Sequence, residues 1–311
     1  MAITSPLLSH QPTGFNGVDL SLDELLYYRS QTVRWLPPAR SVWSQQAGQH
    51  QSRQIGRGMD FSEVRQYQAG DDIRAIDWRV TARTGKPHTK LFSEEREKPV
   101  ILFVDFSHSM RFGSTLMLKS VQTAHMASLI GWLTVTQQDR IGAVLDTGNE
   151  LVELKPRPRQ QGALALIQQL MACHQQARHA SHPPASPSLT QAFQTLLRLC
   201  PKGSEVILLS DFVRFLPEHQ PLLAQLRQHN VVRFVHFVDP LELGKTAYRG
   251  VERVSDRHHT QWLDFSSRRT RHQIEQAFES KQQQLHTYAA SLGIHVTTLS
   301  SDQPLLSQLS G

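Results

Sequence analysis

The stretch Pro99–Ser109, PVILFVDFSHS, decides how the rest of the chain is read. A charged run ends at Lys98, Pro99 closes it, and an unbroken apolar run follows from Val100 to Val104. A short apolar run between turn signals predicts a strand buried on both faces, as in parallel sheets. Asp105, Ser107 and Ser109 then stand two residues apart at the carboxyl end of that strand, where open α/β sheets bind ligands. One carboxylate with two hydroxyls is an oxygen ligand set suited to a hard divalent cation. Mg2+ is the natural candidate, because it keeps several waters and uses few protein carboxylates. The stretch therefore predicts a metal-dependent binding site and not a catalytic one.

Outward from it toward the C-terminus, strand and helix patterns alternate. A helix from Thr115 to Thr136 precedes strands at Ile141–Asp146 and, shorter and at an edge, Glu150–Leu154. Arg159–Cys173 reads as a helix, His174–Pro187 as a polar, Pro-rich loop and Leu189–Leu199 as a helix. Glu205–Leu209 is a strand ending in Ser210-Asp211, Leu216–His229 a helix, and Val231–Val238 a strand with Asp239-Pro240 just past it. A hairpin (Gly250–Val254 and Gln261–Phe265), a long polar helix (Ser267–Leu292) and a last strand (Ile294–Leu299) complete the order. This alternation predicts a doubly wound, mostly parallel α/β sheet with helices on both faces. Asp211 then joins Asp105 at the switch point, as a ligand acting directly or through water.

Toward the N-terminus the chain changes character. Residues 1–18 read as a loose arm, and Ser21 with Glu24 forms a capping box that opens a helix through Arg34, ended by Pro37-Pro38. Ala39–Arg53, rich in Gln and Ser, reads as a linker. Residues 56–98 interleave acids, bases and aromatics around turn-forming Gly56, Gly58, Gly70 and Gly85, with a weak strand alternation over Lys86–Phe92. Arg74, Asp77, Arg79 and Arg83 are candidates for a clamp or for a partner-facing patch, and Arg supports either role through its planar fork. Trp78 and Ile76 are expected in the core. The organisation is an N-terminal arm and helix (1–54), a smaller accessory segment (55–98) and the α/β domain (99–311).

Composition narrows the functional classes. The chain has 311 residues, 39% hydrophobic and 19% charged, which fits a soluble globular protein. A net charge of +6 without any Lys/Arg block gives no nucleic-acid patch. Cys173 and Cys200, both in helical stretches, make no disulfide framework, and the scattered histidines, with His258-His259 the adjacent pair, form no metal spacing. No signal peptide or membrane span is evident, since polar residues interrupt the uncharged Ser120–Gln138 run. A cytoplasmic location without membrane insertion is expected.

At this point the residues carry a resemblance. Asp105-Phe106-Ser107-His108-Ser109 fits the D-x-S-x-S signature of the metal-ion-dependent adhesion site of von Willebrand factor A domains, and Leu209-Ser210-Asp211-Phe212 resembles their later aspartate segment. Phe61–Arg83, with YQAGDDIRAIDWRVTAR at its heart, resembles the hallmark of domain-of-unknown-function family fifty-eight; Asp239–Leu243 (DPLEL) and the Gly250 hairpin fit it too. The resemblance covers residues 50–310. It implies a von Willebrand A-like fold and a non-enzymatic interaction or adaptor role in complex assembly or metal-centre maturation. It also implies a partner, a MoxR-type AAA+ ATPase, with its client proteins. One position departs from the pattern: Pro187 stands where such sites place a ligand Thr, with Ser186, Ser188 and Thr190 nearby.

Three alternatives set the contrast. Phosphoryl transfer lacks a DxDxT motif, since position 107 is Ser. A metal-dependent or serine hydrolase, with Ser107 or Ser109 beside His108, lacks G-x-S-x-G. Nucleic-acid binding through the Arg-rich segment is opposed by the adjacent Asp71, Asp72 and Asp77. No GxxxxGK[ST] occurs, so an ATPase would be a partner.

Overall fold

The computed structural model describes residues 12, 14–32, 59–68, 71–94, 97–179, 188–245, 248–255 and 260–309. Pro37-Pro38, the 39–53 linker, His258-His259 and Ser186-Pro187 lie outside the described residues. The chain divides into two compact units, one made of residues up to 38 together with 98–311, the other of 39–97. The first opens with helix α1, residues 22–32, where the Ser21 hydroxyl accepts from the Glu24 amide at 3.3 Å as the capping pattern predicts.

In the 39–97 unit, β1 (Met59–Gln66) pairs antiparallel with β2 (His88–Glu94). A 3-10 turn at Ile73–Ala75 and α2 (Trp78–Thr84) lie between them. The dense acids here are caps: Asp72 accepts from the Arg74 amide, and Asp77 accepts from the amides of Arg79 and Val80. Gly85, in the left-handed region at φ 69°, closes the helix. Ile76 is half-buried and bridges to Thr89, but Trp78 is 69% exposed, against the expectation of a core indole. A two-stranded ribbon with one short helix has too little apolar surface to enclose it.

The larger unit is built on β3 (Pro99–Asp105), β4 (Arg140–Asp146), β5 (Leu151–Pro158), β6 (Glu205–Ser210) and β7 (Val231–Val238). After the separate hairpin of β8 (Val251–Ser255) and β9 (Thr260–Asp264), the chain adds β10 (His295–Ser300). The sheet order is β10-β7-β6-β3-β4-β5, parallel throughout except for β5. The chain winds outward from β3 to β5, then returns to β6 on the other side of β3. That reversal is the switch point, and the doubly wound, mostly parallel α/β architecture read from the sequence is present. Residues 100–105, 141–146 and 206–210 are buried without a break, as strands covered on both faces must be. At the edge, β5 bulges around Pro156 because Gly142 of β4 leaves room; a Cβ there would meet the Leu154 oxygen at 2.8 Å.

Helices α3 (Lys119–Thr136) and α4 (Arg159–His179) cover one face, and α5 (Leu189–Leu199), α6 (Gln220–His229) and α7 (Arg268–Ser291) the other. The short α8 (Leu305–Leu309) packs on α3. Ile101, Phe103, Phe193, Leu208 and Phe234 anchor the second face, each contributing about 1.5–3 kcal/mol by burial. On the first face α1 lies over α3: the Ser128 hydroxyl donates to the Leu25 oxygen at 2.7 Å, and Arg29 sits over the Trp132 ring. With sheet and helices around it, α3 is buried from Lys119 to Thr134, which explains its uncharged run. Among the described residues no helix is long and apolar enough to cross a membrane. Cys173 and Cys200 are free thiols.

Candidate cation site at the strand ends

Adjacent parallel strands each deliver an aspartate to the same edge of the sheet. Asp239 follows β7, Asp211 follows β6, Asp105 ends β3 and Asp146 ends β4. Neighbouring strands lie about 4.8 Å apart, and all these carboxylates are buried. Such a row is stable only when each charge is paired or hydrogen-bonded.

At the switch point, Asp105 accepts from the Ser107 amide at 2.9 Å and from the Ser210 hydroxyl at 2.6 Å, which ties the ends of β3 and β6 together. Its other contact is Arg214, whose Nη2 lies 3.1 Å from Asp105 Oδ1 and 2.6 Å from Asp146 Oδ2. Asp146 also accepts from the Gly148 amide at 2.8 Å. Gly148 has φ 83° and passes so close to Ser107 that a Cβ would stand 3.3 Å from the Ser107 Cα, so glycine is favoured by its backbone and by the tight approach. Burial pushes the Asp146 carboxyl above its ordinary value against the pull of Arg214, with Asp105 adding repulsion. Burial opposes the Arg214 charge, but the two carboxylates more than offset it.

Arg214 hangs from the turn after β6. Phe212 in that turn is a non-glycine residue in the left-handed region at φ 54°. Its ring lies 4.5 Å from that of Phe234, and its amide donates to the Ser210 hydroxyl. The backbone is therefore held in a strained form next to the site.

A second cation serves Asp211. Lys119 is the first residue of α3, where the helix dipole disfavours a positive charge. Its ammonium is fully buried, 2.9 Å from Asp211 Oδ2 and 2.5 Å from Glu242 Oε1. Burial works against the Lys119 charge, but the two acids raise its affinity for the proton above the ordinary value. Burial likewise opposes the Asp211 charge, yet Lys119 holds that carboxyl below its usual range, while Glu242 stays above its own, mainly through burial. Among the described residues no cation pairs with Asp239. It accepts from the Ser114 amide and hydroxyl, the Ser301 hydroxyl and the Leu241 amide, at 2.5–2.9 Å.

The residues read from the sequence as metal ligands do converge. Asp105, Ser107 and Ser109 share the end of β3, and Asp211 stands across the switch point. The hydroxyls of Ser107 and Ser109 are both buried; that of Ser107 has no hydrogen-bond partner, whereas Ser109 meets the Asp211 carboxylate and favours its ionised form. An unpartnered buried hydroxyl beside carboxylates fits a hard cation. Among the described residues no three His, Cys, Asp or Glu side chains form a metal cluster, so an ion here would rely on these hydroxyls and on water. Ser188 is committed elsewhere, as the cap of α5, where its hydroxyl accepts from the Gln191 amide.

Sequence reasoning missed Asp146, Arg214 and Lys119. The signal was available in the row of strand-end aspartates, which demands cations, and in Lys119 standing at the head of a long uncharged run. In the other unit, Asp77 directs its carboxylate to its own helix and lies 3.5 Å from Lys90, whereas Arg74, Arg79 and Arg83 are exposed.

With that geometry in place, comparison with known proteins adds a family. Residues 63–284, more than half of the chain, match Protein of unknown function DUF58, and the chain belongs to that family. Relatives include the uncharacterized proteins Rv1480 of Mycobacterium tuberculosis and Mb1516 of Mycobacterium bovis, each 29% identical over 201 residues and covering 63% of this chain. The chain spans 60% of the length of these relatives. Similar solved structures include BatB from Bacteroides thetaiotaomicron, at TM-score 0.42 and 11% identity over 68% of this chain and 94% of that one. An aerotolerance-related membrane protein from Bacteroides fragilis gives 0.37 and 10%, covering 68% of this chain and 96% of that one. A von Willebrand factor type A structure from Catenulispora acidiphila gives 0.28 and 18%, covering 49% of this chain and 35% of that one.

Proposed function

We propose that this DUF58 chain is a non-enzymatic interaction module that captures a partner protein at the carboxyl end of its sheet through a Mg2+ ion. Asp105 anchors the ion by charge, Ser107 and Ser109 ligate through hydroxyls, and Asp211 acts directly or through water. When bound, the ion supplies open coordination positions that a carboxylate of the partner can fill. The working partner is a MoxR-type AAA+ ATPase, taken from the family resemblance, with client proteins in complex assembly or maturation. Exposed Arg74, Arg79 and Arg83, next to Trp78, offer the partner a second surface on the other unit.

The observation that carries this reading is the buried, unpartnered hydroxyl of Ser107 beside Asp105, with the Ser109 hydroxyl on Asp211. The test is capture of a purified MoxR-type ATPase with and without Mg2+. Ser107→Ala with Ser109→Ala removes one unsatisfied hydroxyl and one that meets Asp211, so the fold should survive with a loss of about 1–2 kcal/mol. Mg2+-dependent capture should be lost. Capture by the double variant equal to that by the parent chain would sink the metal-bridged mechanism.

A further inference from the structure

We infer that Arg214 is a tethered cation that competes with a divalent ion for Asp105, so the strand-end site has an arginine-filled and a metal-filled form. This rests on the metal reading above and adds its regulation.

The arginine-filled form is the one seen. A single nitrogen, Nη2, serves both Asp105 and Asp146, while Arg214 Nε is buried without a hydrogen-bond partner. The guanidinium therefore answers the acids without being fully satisfied itself. It also leaves the Ser107 hydroxyl unanswered. A divalent ion bonds to carboxylate and hydroxyl oxygens alike, so the metal-filled form repairs the defect the arginine leaves. Each occupant satisfies part of the site, which is the condition for exchange between them.

The exit for Arg214 is also built in. Its side chain is 20% exposed, so it has a route to water that the fully buried Lys119 lacks. It is carried two residues beyond Phe212, whose positive φ stores strain of about 1–2 kcal/mol. Release of that turn moves Val213 and Leu216, each half exposed at 50%, on either side of Arg214. Ion binding is thereby linked to a change in the apolar rim of the crevice, where a partner would dock.

Mn2+ titration by calorimetry, on the full chain, tests the exchange. Because an occupant that must first leave lowers apparent affinity by the fraction of open sites, Arg214→Gln should bind Mn2+ about tenfold or more tightly than the parent chain. Arg214→Lys keeps the charge on a shorter side chain that reaches the two acids less well, so it should fall between the two; it also serves as the test variant if Arg214→Gln fails to fold. Adding Ser107→Ala to Arg214→Gln should remove the gain. Affinities equal within about twofold in the parent and Arg214 variants would overturn the competition and leave the metal reading standing. Absence of Mn2+ binding in all of these chains would overturn both.

Discussion

Lys119 and Arg214 both sit among the strand-end carboxylates, and they are anchored in opposite ways. Lys119 starts a helix buried on all sides, has no exposed surface, and lies between Asp211 and Glu242. Arg214 hangs from a strained turn, reaches water with a fifth of its side chain, and bridges Asp105 and Asp146. The same need, neutralising a row of buried acids, is met once by a group that cannot leave and once by a group that can. The difference separates a fixed part of the fold from the part available for function.

The sharpest way to break this comparison is to remove the sealed cation. Lys119→Met leaves Asp211 buried and uncompensated and should cost about 3–5 kcal/mol in urea unfolding. A loss below about 1 kcal/mol would mean that Lys119 is no more structural than an exposed pair.

Acid offers a second probe of the sealed side, through His174, which shares a hydrogen bond with Ser120 at 3.2 Å and packs edge-on against Phe106. Burial, helped by nearby His125 and Arg111, lowers its pKa from 6.5 to about 4. Between those values the unfolded chain holds more protons than the folded one, so stability rises with pH. The contribution is complete above 6.5 and is lost as pH falls toward 4, by about 3 kcal/mol. His174→Phe should flatten that slope in denaturation curves taken across the window; an unchanged slope would assign the acid sensitivity elsewhere.

The smallest effect belongs to the open side. Arg214→Gln should destabilise by about 1–3 kcal/mol, less than Lys119→Met, since the Arg214 side chain is 20% exposed and shortening it opens a path for water to the acids behind it. A larger loss than Lys119→Met would reverse the assignment of roles.

Much of the α/β unit was legible in the chain. Val100–Val104 and Val231–Val238 are unambiguous because strands covered on both faces need unbroken apolar runs. The long helix was placed within a residue, at Arg268–Ser291, because Ser267 marks its start. The 59–97 region was harder. β1, with Asp60, Glu63 and Arg65, carries no alternation strong enough to announce a strand, and α2 is too short for a period. Asp77 reads as a charge for a partner until the helix it caps is seen. At the site, Asp105 and Asp211 follow from their strand ends, but Arg214 owes its place to a left-handed Phe212 that no propensity predicts. Side chains that travel through a turn to reach a site leave no spacing in the sequence.

The outer margin of the sheet adds a consequence for how the protein meets others. In β5, Pro156 and Pro158 offer no amide hydrogen, and Lys155 and Arg157 between and beside them are exposed. An extended chain, whether a second copy or a peptide, finds neither a continuous donor row nor a neutral surface along this border. Growth of the sheet by strand addition, and fibril formation with it, is blocked on that flank. Recognition there must proceed through side chains.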